Sequence, residues 1–111
     1  MKYILPMSPS VNAMYRRSPG TYGMYKTIEA KNWIKECLKI IGKPTLLTGE
    51  VAVDVDFYFK RESDLDNRLK ALLDVIQEAG IIKNDSQVYR IIARKNSDKK
   101  NPRIEASVVE I

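Results

Sequence analysis

The sequence predicts a mixed α/β (α+β) fold, in which two helices pack on a small mixed β-sheet. Three observations lead to this prediction. The chain has 111 residues, about enough for one hydrophobic core. Segments with an apolar period of two are interleaved with segments of helical period. Their order is strand, loop, helix, strand, helix, strand, strand, which is typical of helices layered on one sheet. We therefore expect residues 1–111 to form a single domain.

The first third of the chain is predicted to hold one strand, one long loop and one helix. Tyr3–Leu5 is a short apolar segment that Pro6 and Pro9 end, as is common for an edge strand. No apolar period holds from Ser8 to Tyr25, where Pro and Gly recur, so we expect a polar loop. A helix follows from Thr27, a suitable N-cap, to Ile41, and Gly42 ends it.

The clearest strand runs from Val51 to Lys60. Its Val and Phe residues alternate strictly with other residues, which is the pattern of a half-buried strand. Asp54 and Asp56 therefore project from the opposite face of the sheet. They are either ordinary solvent-facing residues or neighbours of an active site.

A second helix is predicted from Asp66 to Ala79, with Gly80 as its C-cap. Its expected buried stripe consists of leucines and one isoleucine at helical spacing: Leu65, Leu69, Leu72, Leu73 and Ile76. Two strands, Val88–Lys95 and Arg103–Val109, close the chain, with a polar turn between them.

The composition excludes several kinds of chemistry. The chain contains no histidine and one cysteine, Cys37. Ser-His-Asp and Cys-His catalysis, His-ligated zinc and an intramolecular disulfide are therefore impossible. No apolar run approaches the roughly 18 residues of a membrane span, and no signal segment opens the chain. We expect a cytoplasmic protein with no membrane contact, whose chemistry relies on carboxylates, lysine, arginine and hydroxyls.

Charge is distributed unevenly along the chain. The net charge is +6 over residues 1–49, −4 over residues 50–85 and +3 over residues 86–111. An acidic centre between basic flanks suits an enzyme that holds a polyanion with its flanks and a divalent cation with its middle. The same pattern also arises where surface charges of both signs simply keep a small domain in solution.

The acidic residues with catalytic potential lie between positions 61 and 88. Asp64 and Asp66 stand two apart at a strand-to-helix junction, where their carboxylates can converge. Asp85 can join them only if the chain after the second helix returns. Three carboxylates suit Mg²⁺, which activates a water molecule without histidine, and Lys70 can help stabilise charge on a phosphodiester. A purely structural interpretation is also open, with Asp64, Asp66 or Asn67 as N-caps or first-turn acids and Asn84-Asp85 as a turn.

The motif carries a resemblance to a known family. The series Asp64-x-Asp66-Asn67-x-x-Lys70-x-x-x-Asp74, then Gly80, then Asn84-Asp85-x-x-Val88, resembles the signature of the RusA family of Holliday-junction resolvases. The opening Pro9-Ser10-x-Asn12 and Tyr15-Arg16 are similar to the family's N-terminal motif. Chain length and element order agree with the family as well.

The resemblance implies a homodimeric endodeoxyribonuclease that binds four-way DNA junctions and makes paired symmetric nicks in recombination and repair. It implies Mg²⁺ (or Mn²⁺) as cofactor and no organic cofactor. By position, Asp64, Asp66 and Asp85 match the family's essential acids, which hold the metal, and Lys70 matches its essential lysine. We expect DNA contacts from five residues: Asn12, Arg16, Arg17, Arg61 and Asn67.

Two departures from the family pattern keep an alternative open. Asn84 stands where members often carry a second aspartate, and Ser63 stands where a basic residue often precedes the first aspartate. Asparagine brings no charge, so the metal site would be weaker. The alternative is a prophage protein that binds branched DNA and has little or no nuclease activity. A dimer is expected on physical grounds too, since two symmetric cuts need two sites related by a twofold axis.

Overall fold

Two helices pack on one face of a four-stranded mixed sheet, which confirms the predicted fold class. The structure is a computed structural model that describes residues 2–10, 14–17 and 24–111. Its strands are β1 (Lys2–Pro6), β2 (Tyr15–Arg17), β3 (Met24–Lys26), β4 (Val51–Phe59), β5 (Val88–Ser97) and β6 (Arg103–Glu110). The helices are α1 (Ile28–Ile41) and α2 (Asp66–Glu78), and a short 3₁₀ helix spans Asp85–Gln87.

The main sheet has the strand order β1-β6-β4-β5. β6 is antiparallel to both of its neighbours, β1 and β4, whereas β4 and β5 are parallel. In β4 the predicted alternation is confirmed, since Val55 and Phe57 are fully buried while Asp54 and Asp56 lie half-buried on the other face. One hydrophobic core joins this buried face to both helices.

The first helix begins and ends where the sequence predicts. The Thr27 hydroxyl accepts a hydrogen bond from the Ala30 N–H at 3.2 Å, so it caps the first turn. Gly42 follows the last turn with a φ of +72°, a conformation that glycine adopts without steric cost. The Trp33 indole N–H donates to the Pro6 carbonyl at 2.9 Å and thereby ties α1 to the end of β1.

The buried face of α2 is rotated relative to the predicted stripe. Its buried residues are Ala71, Leu72, Val75 and Ile76, whereas Leu65, Leu69 and Leu73 are only partly buried at its edge. A stripe drawn through leucines alone is biased because it omits the small and β-branched residues that face the sheet. The C-cap is Ala79, and Gly80 follows it with a φ of +84°.

The segment from Ser8 to Tyr25, predicted as an irregular loop, contains a small antiparallel hairpin. β2 pairs with β3, with Arg16 opposite Tyr25. The hairpin was missed because strands of three residues are too short to show a period of two. Met14, just before β2, is fully buried and belongs to the main core.

The parallel pair of strands determines where the polar connections lie. β4, α2 and β5 form a βαβ crossover, so the chain leaves the carboxyl end of β4 and re-enters at the amino end of β5. The connection into α2 and the 3₁₀ helix before β5 therefore lie at opposite ends of α2. A 13-residue helix spans about 20 Å between these ends.

Neither helix described by the structure combines the length and apolar character needed to cross a membrane.

Cys37 is fully buried in α1, and burial raises the pKa of its thiol to about 12.

Candidate active site

Asp64 and Asp66 lie at the amino end of α2, and neither caps the helix. The N-cap residue is Leu65, whose side chain makes no capping hydrogen bond, and Asp66 is the first helical residue. Both aspartates are exposed. Neither aspartate is therefore the N-cap, but Asp66 is an acid of the first turn, as the structural interpretation expects, and it is favourably placed relative to the helix dipole.

The two carboxylates are available to bind a ligand. Within the described part of the chain, no hydrogen bond or ion pair holds the side chain of Asp64 or Asp66. The charge of Asp64 helps to raise the pKa of Lys95, whose largest influence is a hydrogen bond to Glu62. An exposed carboxylate pair beside lysine side chains is suited to binding a divalent cation and the phosphate it neutralises.

Lys70 and Asp74 follow Asp66 at intervals of four residues and thus lie on one side of α2. Lys70 is exposed and Asp74 is half-buried. Both line an open groove of about 520 Å³ that also includes Gln77 and Lys83. Lys70 therefore occupies the surface of α2 between Asp66 and the end of the helix near Asp85.

Asp85 begins the 3₁₀ helix, and its neighbours hold it firmly. The Asp85 N–H donates to the Gln77 side chain at 3.0 Å, which fixes it beside the last turn of α2. Asn84 caps this helix by accepting from the Ser86 N–H at 2.9 Å, and Gln87 completes a capping box. The interpretation of Asn84-Asp85 as a turn dipeptide is confirmed, and the Asp85 side chain is exposed.

A single chain does not bring Asp85 to the aspartates at the other end of α2. Residues 81–85 do not fold back along the helix, because Asp85 remains bound to Gln77 in the final turn. Over the described ranges of one chain, no three His, Cys, Asp or Glu side chains are grouped to hold a metal ion. The donor type fits Mg²⁺, but one chain places two of the three acids at one end of α2 and the third at the other end.

The residues expected to contact DNA are distributed over several elements. Arg61 is exposed in the connection before α2, and Asn67 is half-buried in its first turn. Arg16 and Arg17 belong to β2, while Asn12 lies outside the described residues. Phe57 is fully buried and stacks on Phe59 at 5.9 Å between ring centres, so it belongs to the core and is not exposed to DNA.

Asp54 and Asp56 belong to an ion-pair network on the open face of the sheet. Arg94 on β5 donates a hydrogen bond to Asp54. It donates two more to Asp56, at 2.7 Å and 2.9 Å. Asn96 adds a hydrogen bond to Asp56 at 3.2 Å. These bonds hold the pKa of Asp56 below its usual value, with Arg94 as the main cause. The two acids connect strands and lie away from α2.

Sequence reasoning missed two features near the site. Arg68, which occupies an unassigned position inside the motif, bonds to Ser63 and Ser8. A basic cleft lies next to Asp64 and includes Lys95 and Lys99 from the end of β5 and the turn after it. Only the parallel register, which places Phe59 opposite Ser97, brings these distant residues together.

Comparison with known proteins shows the family to which this chain belongs. Residues 6–109 match the model of the family described as Endodeoxyribonuclease RusA. Two relatives named crossover junction endodeoxyribonuclease RusA are similar over most of their length. One, from Enterobacteria phage HK97, is 33% identical over 91 residues (78% of this chain, 74% of the relative). The other, from Escherichia coli strain K12, is 29% identical over 114 residues (96% and 92%).

A third relative of the same name, from Aquifex aeolicus, is 38% identical over 52 residues, which is 45% of this chain and 41% of that protein. The family match covers nearly all of the described elements, including both ends of α2. This chain therefore belongs to the RusA family of endodeoxyribonucleases.

Proposed function

We propose that this protein is a metal-dependent endonuclease that cuts four-way DNA junctions by paired symmetric nicks, acting in the cytoplasm in recombination and repair. The proposal depends on two exposed aspartates at the start of α2, Asp64 and Asp66. Within the described residues, neither side chain makes a hydrogen bond or ion pair. Relatives named crossover junction endodeoxyribonucleases support the choice of branched DNA as substrate.

The metal would be Mg²⁺ or Mn²⁺, held by Asp64, Asp66 and Asp85. When bound, such an ion polarises a phosphodiester and lowers the pKa of a water molecule, which compensates for the absence of histidine. Lys70, one turn from Asp66, would face the phosphate and stabilise its developing negative charge. Arg61, Asn67 and the β2 arginines, with Asn12, would hold the DNA backbone on either side.

A homodimer would complete this site, because the three acids lie at opposite ends of α2 in one chain. In a twofold dimer, a contact between one end of a protomer and the opposite end of its partner occurs twice. Asp64 and Asp66 of one copy would then meet Asp85 of the other. The two composite sites would share the symmetry of a four-way junction.

The outer edge of β5 is the surface best suited to this dimer. β5 is an outermost strand of the described sheet, and three large side chains on it are exposed: Tyr89 (67%), Ile91 (39%) and Ile92 (45%). A long edge strand offers unpaired backbone N–H and C=O groups with which another copy can pair. Antiparallel pairing of two β5 strands would place the start of one beside the end of the other.

The ends of β5 are the places where the acids lie. Asp85 is three residues before the first residue of β5. The Asp64 connection lies at the far end, since Lys95 on β5 pairs with Glu62 and the Asp98 N–H donates to the Phe59 carbonyl at 2.9 Å. β5 pairing would therefore bring Asp85 of one copy towards Asp64 and Asp66 of the other.

The test is cleavage of a synthetic four-way junction with labelled strands. With Mg²⁺ or Mn²⁺ we expect nicks at symmetric positions in opposing strands, and none on linear duplex. Asp66→Asn should reduce cleavage at least 100-fold while junction binding is retained, because the backbone contacts remain. Absence of nicking with either metal, or full activity in Asp66→Asn, would contradict the proposal.

A second candidate is a branched-DNA-binding protein without nuclease activity. Two observations favour it, namely the use of Asn84 as a helix cap and the absence of a three-acid group within the described residues of one chain. Tight junction binding without metal-dependent nicking would select this candidate.

A further inference from the structure

A basic cleft of about 550 Å³ lies directly beside the Asp64 connection. Its charged lining consists of Lys60 and Arg61 after β4, Lys95 on β5, Lys99 in the following turn, and one acid, Glu62. Lys60, Arg61 and Lys99 are exposed, and Phe59 forms the apolar wall between the two strand ends. The cleft therefore presents four cations against a single carboxylate, which is the electrostatic character of a site for a phosphodiester backbone.

Glu62, the acid in this cleft, is paired with one of the four cations. The Glu62 carboxylate forms an ion pair with the Lys95 ammonium, although the Glu62 side chain is 85% exposed. This hydrogen bond is also the largest cause of the raised pKa of Lys95. An ion pair this exposed is weak and is screened by salt, and a phosphate can therefore compete for Lys95.

We propose that the basic cleft seats the DNA backbone next to Asp64 and Asp66, and that Glu62 weakens this binding by holding Lys95 in the free protein. The inference rests on the proposed function. Phosphate contacts raise affinity for all DNA alike. Glu62 therefore lowers binding to ordinary duplex and increases the share of the affinity that depends on junction shape.

The test compares binding to a four-way junction and to linear duplex across a salt series, with divalent ions removed so that no strand is cut. Glu62→Gln should bind both DNAs more tightly, and the ratio of junction to duplex affinity should fall. Because Lys95 gains a phosphate contact, the affinity lost between 50 and 200 mM salt should grow by roughly 3.5-fold. Lys99→Gln should change the salt dependence by a similar factor in the opposite direction, whereas Lys95→Gln should change it less, because Glu62 already holds Lys95.

Two controls show whether Glu62 acts through this cleft. Glu36→Gln removes an exposed acid from α1 and gives the same change in net charge, so it should leave the salt dependence nearly unchanged. In the double variant Glu62→Gln with Lys95→Gln, most of the gain from Glu62→Gln should disappear, since the two residues act as a pair. Equal effects of Glu62→Gln and Glu36→Gln, or additive effects in the double variant, would overturn the proposal.

The outcomes for the cleft and for the nuclease are separable. Absence of junction preference and of metal-dependent nicking in the unmodified protein would contradict the proposed function. An unchanged salt dependence in Glu62→Gln, in a protein that does nick junctions, would contradict the cleft alone.

Discussion

Arg68 shows that a residue inside the motif can be structural rather than catalytic. Its guanidinium donates to Ser63 Oγ at 3.3 Å and to the Ser8 carbonyl, and it lies 5.9 Å from the centre of the Phe59 ring. Burial lowers the pKa of Arg68. This one side chain therefore ties the N-terminal segment to the connection that carries Asp64.

Replacing Arg68 should destabilise the protein. Arg68→Met retains the aliphatic length but removes the donors, which leaves the Ser8 carbonyl without this partner. We expect a loss of about 2 kcal/mol in the free energy of unfolding, typical of a hydrogen bond to a charged group. The measurement is urea denaturation followed by circular dichroism.

Lys39→Met is the matched control for Arg68→Met. Lys39 is exposed on α1, so its replacement should change stability by less than about 0.5 kcal/mol. A loss in Arg68→Met no larger than this would show that the guanidinium contacts contribute little.

Among the elements, β4 uses its alternate residues for two purposes, to build the core and to form ion pairs with β5. One face of β4 supplies Val55 and Phe57 to the core, and the other face carries Asp54 and Asp56 to Arg94 on β5. Cross-strand ion pairs of this kind help to specify the register of a parallel pair, since a slip of one residue would move every side chain to the other face.

The ion-pair network of Arg94 with Asp54 and Asp56 predicts that the protein becomes less stable in acid. Arg94 holds the pKa of Asp56 below its ordinary value of 3.8. The native state therefore binds this proton less tightly than the unfolded chain does. The resulting stabilisation is present above about pH 4 and is lost as the pH falls through the lowered pKa.

Arg94→Gln should be less stable than the unmodified protein at pH 7, and the difference should shrink at pH 3. Arg90→Gln is the control, because Arg90 is an exposed cation on the same strand and its replacement changes the net charge equally. Guanidine is unsuitable as denaturant because it screens ion pairs, so urea is used at both pH values. A difference that is the same at both pH values would argue against this assignment.

At the scale of the whole domain, the βαβ crossover determines where the acids lie. It requires the connections before and after α2 to lie at opposite ends, about 20 Å apart. No local rearrangement of residues 81–85 removes this separation while Asp85 remains bound to Gln77. The composite dimer that we propose thus follows from topology as much as from the acids themselves.

Mixing inactive variants tests the composite site. Asp66→Asn and Asp85→Asn proteins should each be inactive alone. After unfolding and refolding together, about half of the dimers are mixed. Each mixed dimer then contains one site with all three acids intact, so single nicks in the junction should reappear.

The control is a mixture of Asp64→Asn with Asp66→Asn. These acids lie at the same end of α2, so every composite site in a mixed dimer lacks one of them and no activity should return. If each site instead drew all its acids from one chain, neither mixture would recover activity, and the composite arrangement would be wrong.

Much of the architecture follows from local patterns in the chain. The strict alternation in β4 and the Thr27 and Gly42 signals of α1 depend on neighbouring residues, and both predictions are confirmed. The same is true of the Asn84-Asp85 turn. The hairpin of β2 and β3 was missed because three residues carry too little pattern.

The chemistry proposed for the site was also predicted from the chain, because the absence of histidine and the spacing of Asp64, Asp66 and Lys70 point to carboxylate and lysine chemistry. Which acids are near one another was decided by the tertiary structure. The parallel pairing of β4 and β5 places Asp85 far from Asp64 and brings Lys95 beside Glu62. Spacing along a chain reports only local geometry, whereas proximity across a crossover depends on strand direction and register, which form only when the whole sheet assembles.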